Sequence, residues 1–371
     1  MVRSAKSVMG QSIPRDKKSQ SALEYMMTYG WAIMIIVIVV AVLYSLGIFN
    51  PSSSVPSTTV VGFGGLNGIT GECLSNSGLV MQVGNIETYN INITAVNYTI
   101  NTGSYSISPN SKTSEITPDG TTFLILPSAC PAAGDRFSVY VSITYIAIGE
   151  PLATPTTTSG TISGTAISQK YVGSFDGSTS YIQINNINLG NTITVSFWAK
   201  GSNYDGRIPF SVDSNLYGTL GPDVYFACGM INWNKGNGCV NNFSSSSYPN
   251  SNWHNFVVVD SYSGSSAKLY VDGKYVGSAA SYLDPTSTNR FIRIGAYAAG
   301  GYYFPGDMAG VTVYSVALSS SQISTVYSGG FGGAPVLDAG LVGWWPLNDN
   351  ALDYSGIGNT GVATDVSWVA T

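Results

Sequence analysis

Residues 25–49, YMMTYGWAIMIIVIVVAVLYSLGIF, carry no charged side chain, and no other stretch restricts the fold so tightly. At about 1.5 Å per residue the run is roughly 37 Å long as a helix, more than the ~30 Å hydrocarbon core of a bilayer. Ile and Val crowd its middle, yet lipid forces a helix, because only there does a single segment satisfy every backbone N–H and C=O internally. Tyr25, Tyr29 and Trp31 stand at one end and Tyr44 and Phe49 at the other, as membrane-interface aromatics do. Arg3, Lys6, Arg15, Lys17 and Lys18 precede the run. They place that end in the cytoplasm and the rest of the chain outside. Asn50-Pro51 and the following serines stop the helix and open a linker. A removed secretory signal would have a shorter apolar core and a small-residue cleavage site, and this run has neither.

The residues leading into the helix, KKSQSALEYMMTYGWAI, closely resemble the class III signal peptides of archaeal type IV pilin-like proteins. The resemblance implies that a prepilin-type peptidase cuts on the cytoplasmic side, between Ser19 and Gln20. The leader 1–19 would leave, and the helix 20–50 would stay as a transmembrane or filament-forming element. Ser19 stands where the family often has Gly or Ala. Glu24 would be the family's acidic residue. A carboxylate at the edge of lipid is costly unless paired. The new α-amino group of Gln20 on a neighbouring subunit would pair with it during assembly; alternatively Glu24 lies in the headgroup region.

Over the whole chain only 9% of residues are charged, and its 43 Gly and 24 Tyr fit β-sandwiches rich in turns beyond the linker. The net charge is −5 and the basic residues are front-loaded, so an acidic exterior excludes nucleic acid as a partner. In 55–168, apolar and polar residues alternate through LVMQV, YNINITAVNYTI, TTFLIL and FSVYVSITYI, with turn residues between them. The pattern predicts a small antiparallel sandwich of immunoglobulin-like type acting as a spacer. The four cysteines have no CxxC spacing, and one histidine is too few for a zinc site. In an oxidising compartment they read as two local disulfides, Cys73–Cys130 and Cys228–Cys239, against the alternative of four buried thiols. Sequons at Asn92, Asn97 and Asn242 fit an exported chain as N-glycosylation sites, and also arise by chance in such a composition.

Residues 169–371 hold six of the seven tryptophans. Here FDGSTSY, SFWAK, WHNFVVV, YVDGKYVG and VYSVALSSSQI follow in an order that resembles the laminin G-like, concanavalin A-like lectin fold, a jelly-roll sandwich. LVGWWPLNDNALDYSGIGNTG, which usually opens such a domain, closes this chain. Either the domain is circularly permuted or the tail begins a truncated second copy. Permutation is preferred, since an isolated fragment could not bury Trp344 and Trp345. The resemblance further implies a calcium ion held by Asp353 and Asn359, with only Asp307 near the position of the family's later acid. The alternative is that Asp353, Ser355 and Gly356 form a tight Asx-type turn. His254 falls at a structural position. Glycoside hydrolysis needs two placed carboxylates. The region has no Glu, and its Asp residues read as turn residues, so we expect no enzyme. Tyr297, Tyr302 and Tyr303, in a Gly-rich loop, would stack on sugars or merely cap the loop.

Together these features describe a protein of the cell surface, anchored in the membrane or built into a pilus with pilin subunits, that binds a glycan or a surface protein. The alternatives are a monomeric anchored binding protein and a structural filament or coat subunit without a ligand. Mass spectrometry of the native protein should find Gln20 at the N-terminus; a terminus beyond Phe49 would mean that the apolar run is a removed signal.

Overall fold

The computed structural model describes residues 29–31, 33–39, 58–75, 77–100, 103–107, 115–151, 153–201, 205–213, 220–227, 229–234, 242–244, 251–283, 290–337 and 340–371. Ser19, Gln20, Glu24, Cys228 and Cys239 lie outside them, as does most of the predicted helix 20–50. Residues 29–31 and 33–39 are helical with exposed side chains. No helix among the described residues is long and apolar enough to cross a membrane.

Ser57–Thr371 is one compact unit, built among the described residues from four antiparallel sheets. A six-stranded sheet runs in the order Thr58–Gly62, Thr156–Thr165, Arg136–Ile148, Asn90–Ile100 and Gly103–Ile107, with Glu115–Ile116 also paired to Asn90–Ile100. Alternation sets its faces. Along Arg136–Ile148, Phe137, Val139, Val141, Ile143 and Tyr145 are buried while their neighbours face outward. A three-stranded sheet of Leu66–Leu74, Gly78–Asn85 and Thr121–Leu126 covers the buried side. The disulfide Cys73–Cys130 ties this sheet to the segment beyond Thr121–Leu126.

The second sandwich pairs an eight-stranded with a seven-stranded sheet. Thr192–Lys200 lies inside the first, between His254–Ser261 and Pro305–Tyr314. Arg207–Asp213 lies inside the second, between Leu220–Ala227 and Arg290–Ile294. Phe197, Phe210, Phe226, Phe256 and Trp345 fill the space between the two sheets. Asp272 and Gly273 both have positive φ in a two-residue hairpin closed by Val271 opposite Lys274, the geometry that Asp-Gly favours. Ser319 caps the helix Ser320–Ser328 through a reciprocal pair with Gln322, and Ile323 anchors it.

The C-terminal tail is part of both sheets. Leu341–Trp345 pairs with Pro305–Tyr314, Val362–Thr364 with Tyr181–Ile187, and Ser367–Ala370 with Tyr171–Asp176. Trp344 and Trp345 point to opposite faces, and both are buried, at 1% and 0% exposure. Trp345 packs between the sheets, whereas Trp344 leaves the sandwich and enters a cluster with Leu74, Val80 and Ile125 of the small sandwich. The three-stranded sheet is thus apolar on both faces, and the four sheets stack in the order six, three, eight, seven.

Trp344→Ala should therefore destabilise both sandwiches together, by about 3–5 kcal/mol. Calorimetry should record one transition shifted down as a whole; a small-sandwich transition left in place would show that the sheets unfold independently.

Candidate functional site

The outer face of the seven-stranded sheet holds the densest polar chemistry in the second sandwich. Phe210, Val212, Val224, Ile292 and Ile294 face the core, so the residues between them point away from it. Register then aligns Gln183, Arg293, Ser211 and Asp223 in one row across four strands. Arg293 donates from Nε and Nη2 to Gln183 Oε1 at 3.1 and 3.0 Å, and from Nη1 to the Tyr297 carbonyl at 3.2 Å. Its guanidinium also lies 4.5 Å from the Tyr181 ring centre, a cation–π contact.

A turn folds over this row. Ser211 Oγ donates to the Ala296 carbonyl at 3.0 Å, Tyr297 N donates to the Gly301 carbonyl, and Gly300 N donates back to the Tyr297 carbonyl. The closure requires positive φ at Gly300, Gly301 and Tyr302. Tyr302 meets Tyr297 and Tyr225 edge-to-face at 5.9 and 5.8 Å. Tyr297 is only 8% exposed, which corrects the expectation of a free ring, while Tyr302 and Tyr303 keep part of their surface in solvent. Burial, then the nearby negative charges of Asp223 and Asp213, then Tyr302, push the Tyr297 hydroxyl up to about 12.

The aspartates here correct the reading that this region's acids sit at turns. Asp213, Asp223 and Asp260 lie on strands at 1%, 0% and 0% exposure. Asp260 accepts the Trp233 indole N–H at 2.6 Å. Burial raises its carboxyl against the hydrogen bonds it receives from Ser281, Trp233, Tyr282 and Leu283. Strand alternation could have flagged Asp213, which shares the face of Ser211 in FSVD. The depth of its burial depends on the turn from residue 296 onward, which only the folded chain brings there. Asp213 and Asp223 are thus enclosed, while Tyr302 and Tyr303 stay half-exposed.

The remaining expected site residues have structural partners. Asp353 Oδ1 accepts from Trp344 N at 3.0 Å and Ser355 N at 2.9 Å, and Oδ2 from Asn359 N at 2.8 Å. Asn359 Nδ2 donates to the Val342 carbonyl at 2.8 Å, and Asp307 pairs with Lys200 at 3.5 Å. Among the described residues no three His, Cys, Asp or Glu side chains gather as a metal site. The Ser355 N–H to Asp353 Oδ1 bond makes the Asx-type turn that stands as the alternative to a calcium site. His254 Nδ1 meets Asp272 Oδ2 at 2.7 Å beside the hairpin. Asn97 is exposed on its strand, Asn92 is half-buried, and the Asn242 side chain is not described.

Residues 176–324, most of the second sandwich, match the family described as the concanavalin A-like lectin/glucanases superfamily. A Bacteroides ovatus protein whose description proposes carbohydrate binding is similar at 11% identity and a TM-score of 0.44, over 85% of this chain and 93% of that one. The SAP-like pentraxin of Limulus polyphemus is similar at 18% identity and 0.42, over 55% and 96%. Domain 4 of an extracellular arabinanase from Geobacillus stearothermophilus, in complex with arabinotriose, is similar at 15% and 0.36, over 50% and 81%. Nothing further is drawn from likenesses this distant. A comparison with curated protein sequences finds no match.

The FDGSTSY segment makes a titration prediction. Asp176 accepts N–H groups from Ser178, Thr179 and Ser180 at 2.8, 2.9 and 3.0 Å, and the hydroxyls of Ser178 and Thr179. Burial raises its carboxyl, but these hydrogen bonds outweigh it and hold the group below the usual range. A depressed folded pKa means that the turn's stabilisation is present above the unfolded value, ~3.9, and is lost only as pH falls through the lower folded value. Carbon-detected NMR should find Asp176 still ionised at pH 3; titration near pH 4 would contradict the assignment.

Proposed function

We propose that this is a surface-displayed glycan-binding protein, held at the membrane by its N-terminal apolar helix. The observation that carries the glycan half is the match of residues 176–324 to a lectin/glucanase family. What supports a binding role over hydrolysis is the enclosure of Asp213 and Asp223 beneath a tyrosine turn. Arg293 and the half-exposed rings of Tyr302 and Tyr303 offer the contacts a sugar needs: fixed donors and an apolar π-face. The anchoring half rests on the charge-free run 25–49 and on the pilin-like residues around Gln20 and Glu24. On that reading a prepilin-type peptidase releases the leader, and the helix then stays in the membrane or joins pilin subunits. The glycan would be bound without calcium, since Asp353 and Asp307 are engaged elsewhere.

The test is a glycan array probed with full-length protein in a detergent without a sugar headgroup. Binding should survive EDTA and fall about tenfold or more in Arg293→Ala, the scale of losing a charge-assisted hydrogen bond. Absence of binding across the array would remove the glycan half and favour a structural filament subunit.

A further inference from the structure

A cleft of about 360 Å³ opens where the small sandwich meets the second one. Its floor is the outer face of the three-stranded sheet, on which register sets two parallel rows. Thr70, Gln82 and Phe123 form one, and Glu72, Val80 and Ile125 the other. Val80 and Ile125 are covered by the cluster around Trp344. Thr70, Glu72, Val80 and Gln82 line the cleft with Phe123, and Leu352 and Tyr354 close it from the second sandwich.

The aromatic wall is rigid. Phe123 and Tyr354 stack at 4.8 Å with 30° between their planes. Trp344 supports Tyr354 edge-on at 5.9 Å, and the Tyr354 hydroxyl accepts from Asn350 Nδ2 at 3.2 Å. Beside Phe123 on the same sheet stand the Glu72 carboxylate, the Gln82 amide and the Thr70 hydroxyl. Gln82 Nε2 makes its bond to Thr121 Oγ1 at 3.2 Å, at the far edge of the sheet. Burial raises the Glu72 carboxyl, and Glu72 in turn contributes to a raised Tyr354 hydroxyl, so the two groups face each other across the space.

Among the described residues no cation lines the cleft, which disfavours phosphate and acidic sugars. Hydrogen-bonding side chains along one wall equally disfavour a purely apolar guest. A π-wall beside a carboxylate, an amide and a hydroxyl matches a sugar ring, whose C–H face is apolar and whose edge is hydroxylated. The volume lies within the range of small-ligand sites. We propose that this cleft is a second saccharide site, taking a neutral sugar of one or two rings whose apolar face lies on Phe123 and Tyr354 and whose hydroxyls reach Glu72 and Gln82. The site is separate from the Arg293 face and does not rest on it.

Ligand-observed NMR tests it with the full chain in a detergent without a sugar headgroup, titrated with cellobiose, maltose and chitobiose. At least one disaccharide should receive saturation from the protein. Glu72→Ala should weaken that binding about tenfold, and Glu72→Gln less, since the amide keeps one acceptor. Gln82→Trp fills the cleft and should abolish binding, while Arg293→Ala should leave it unchanged. If Gln82→Trp fails to fold, the two Glu72 variants, at the cleft surface, decide the matter alone. The proposal is overturned if no disaccharide binds the wild type, or if binding persists in the cleft variants and is lost in Arg293→Ala. Binding of tetramethylammonium without any sugar overturns it too.

Discussion

The three-stranded sheet is short, yet it carries apolar side chains on both faces, and the stacking of the other sheets depends on that. Leu79, Met81 and Val83 point into the small sandwich, while Val80 points the other way and is 3% exposed. Such a strand cannot sit at a solvent boundary without leaving a large apolar patch in water. Trp344 and Tyr314 of the eight-stranded sheet face the same problem from their side. Each sheet resolves it for the other, and hydrogen bonds stitch the rim, from Ser77 Oγ to the Gly332 carbonyl and from Thr122 Oγ1 to the Gly356 carbonyl at 2.9 Å. The small sandwich is therefore less a flexible stalk than the second half of a rigid body.

The two halves treat polar groups in opposite ways. On the seven-stranded sheet a row of charged and amide side chains is roofed by a tyrosine turn, so much of its chemistry is spent on internal order. At the seam the polar residues of the three-stranded sheet stay open, because the packed surfaces of the two sandwiches diverge beyond Val80 and Ile125. Carboxylates recur as organisers of backbone: buried Asp353 gathers three amides, exposed Asp176 three more, and buried Asp260 holds an indole. At Asp176 the hydrogen bonds outweigh desolvation, whereas at Asp260 burial prevails and raises the carboxyl.

Much of the strand pattern could be read directly, since period-2 alternation and Asp-Gly hairpins are local signals. YVDGKYVG is a hairpin because Gly273 accepts positive φ, and no distant contact is needed to say so. The site was far less legible. Asp213 and Asp223 are ten residues apart in sequence, and only strand register with Ser211 and Arg293 brings the row together. Tyr297 reads as a solvent-facing loop residue until the turn folds down onto Ser211. Trp344 reads as the outer residue of an edge strand until another sandwich covers it.

The sequence by itself determined the kinds of element: an apolar run long enough to span a bilayer, alternating strands and the turns between them. These follow from side-chain hydrophobicity and local backbone preference, which act over a few residues. The tertiary structure alone decided which faces meet. Burial on both sides of the three-stranded sheet, closure of the second sandwich by strands from the chain's end, and a cleft at the seam all depend on surfaces far apart in sequence. Hydrophobic burial is non-directional, so the pattern states that a face must be covered, and only packing says by what.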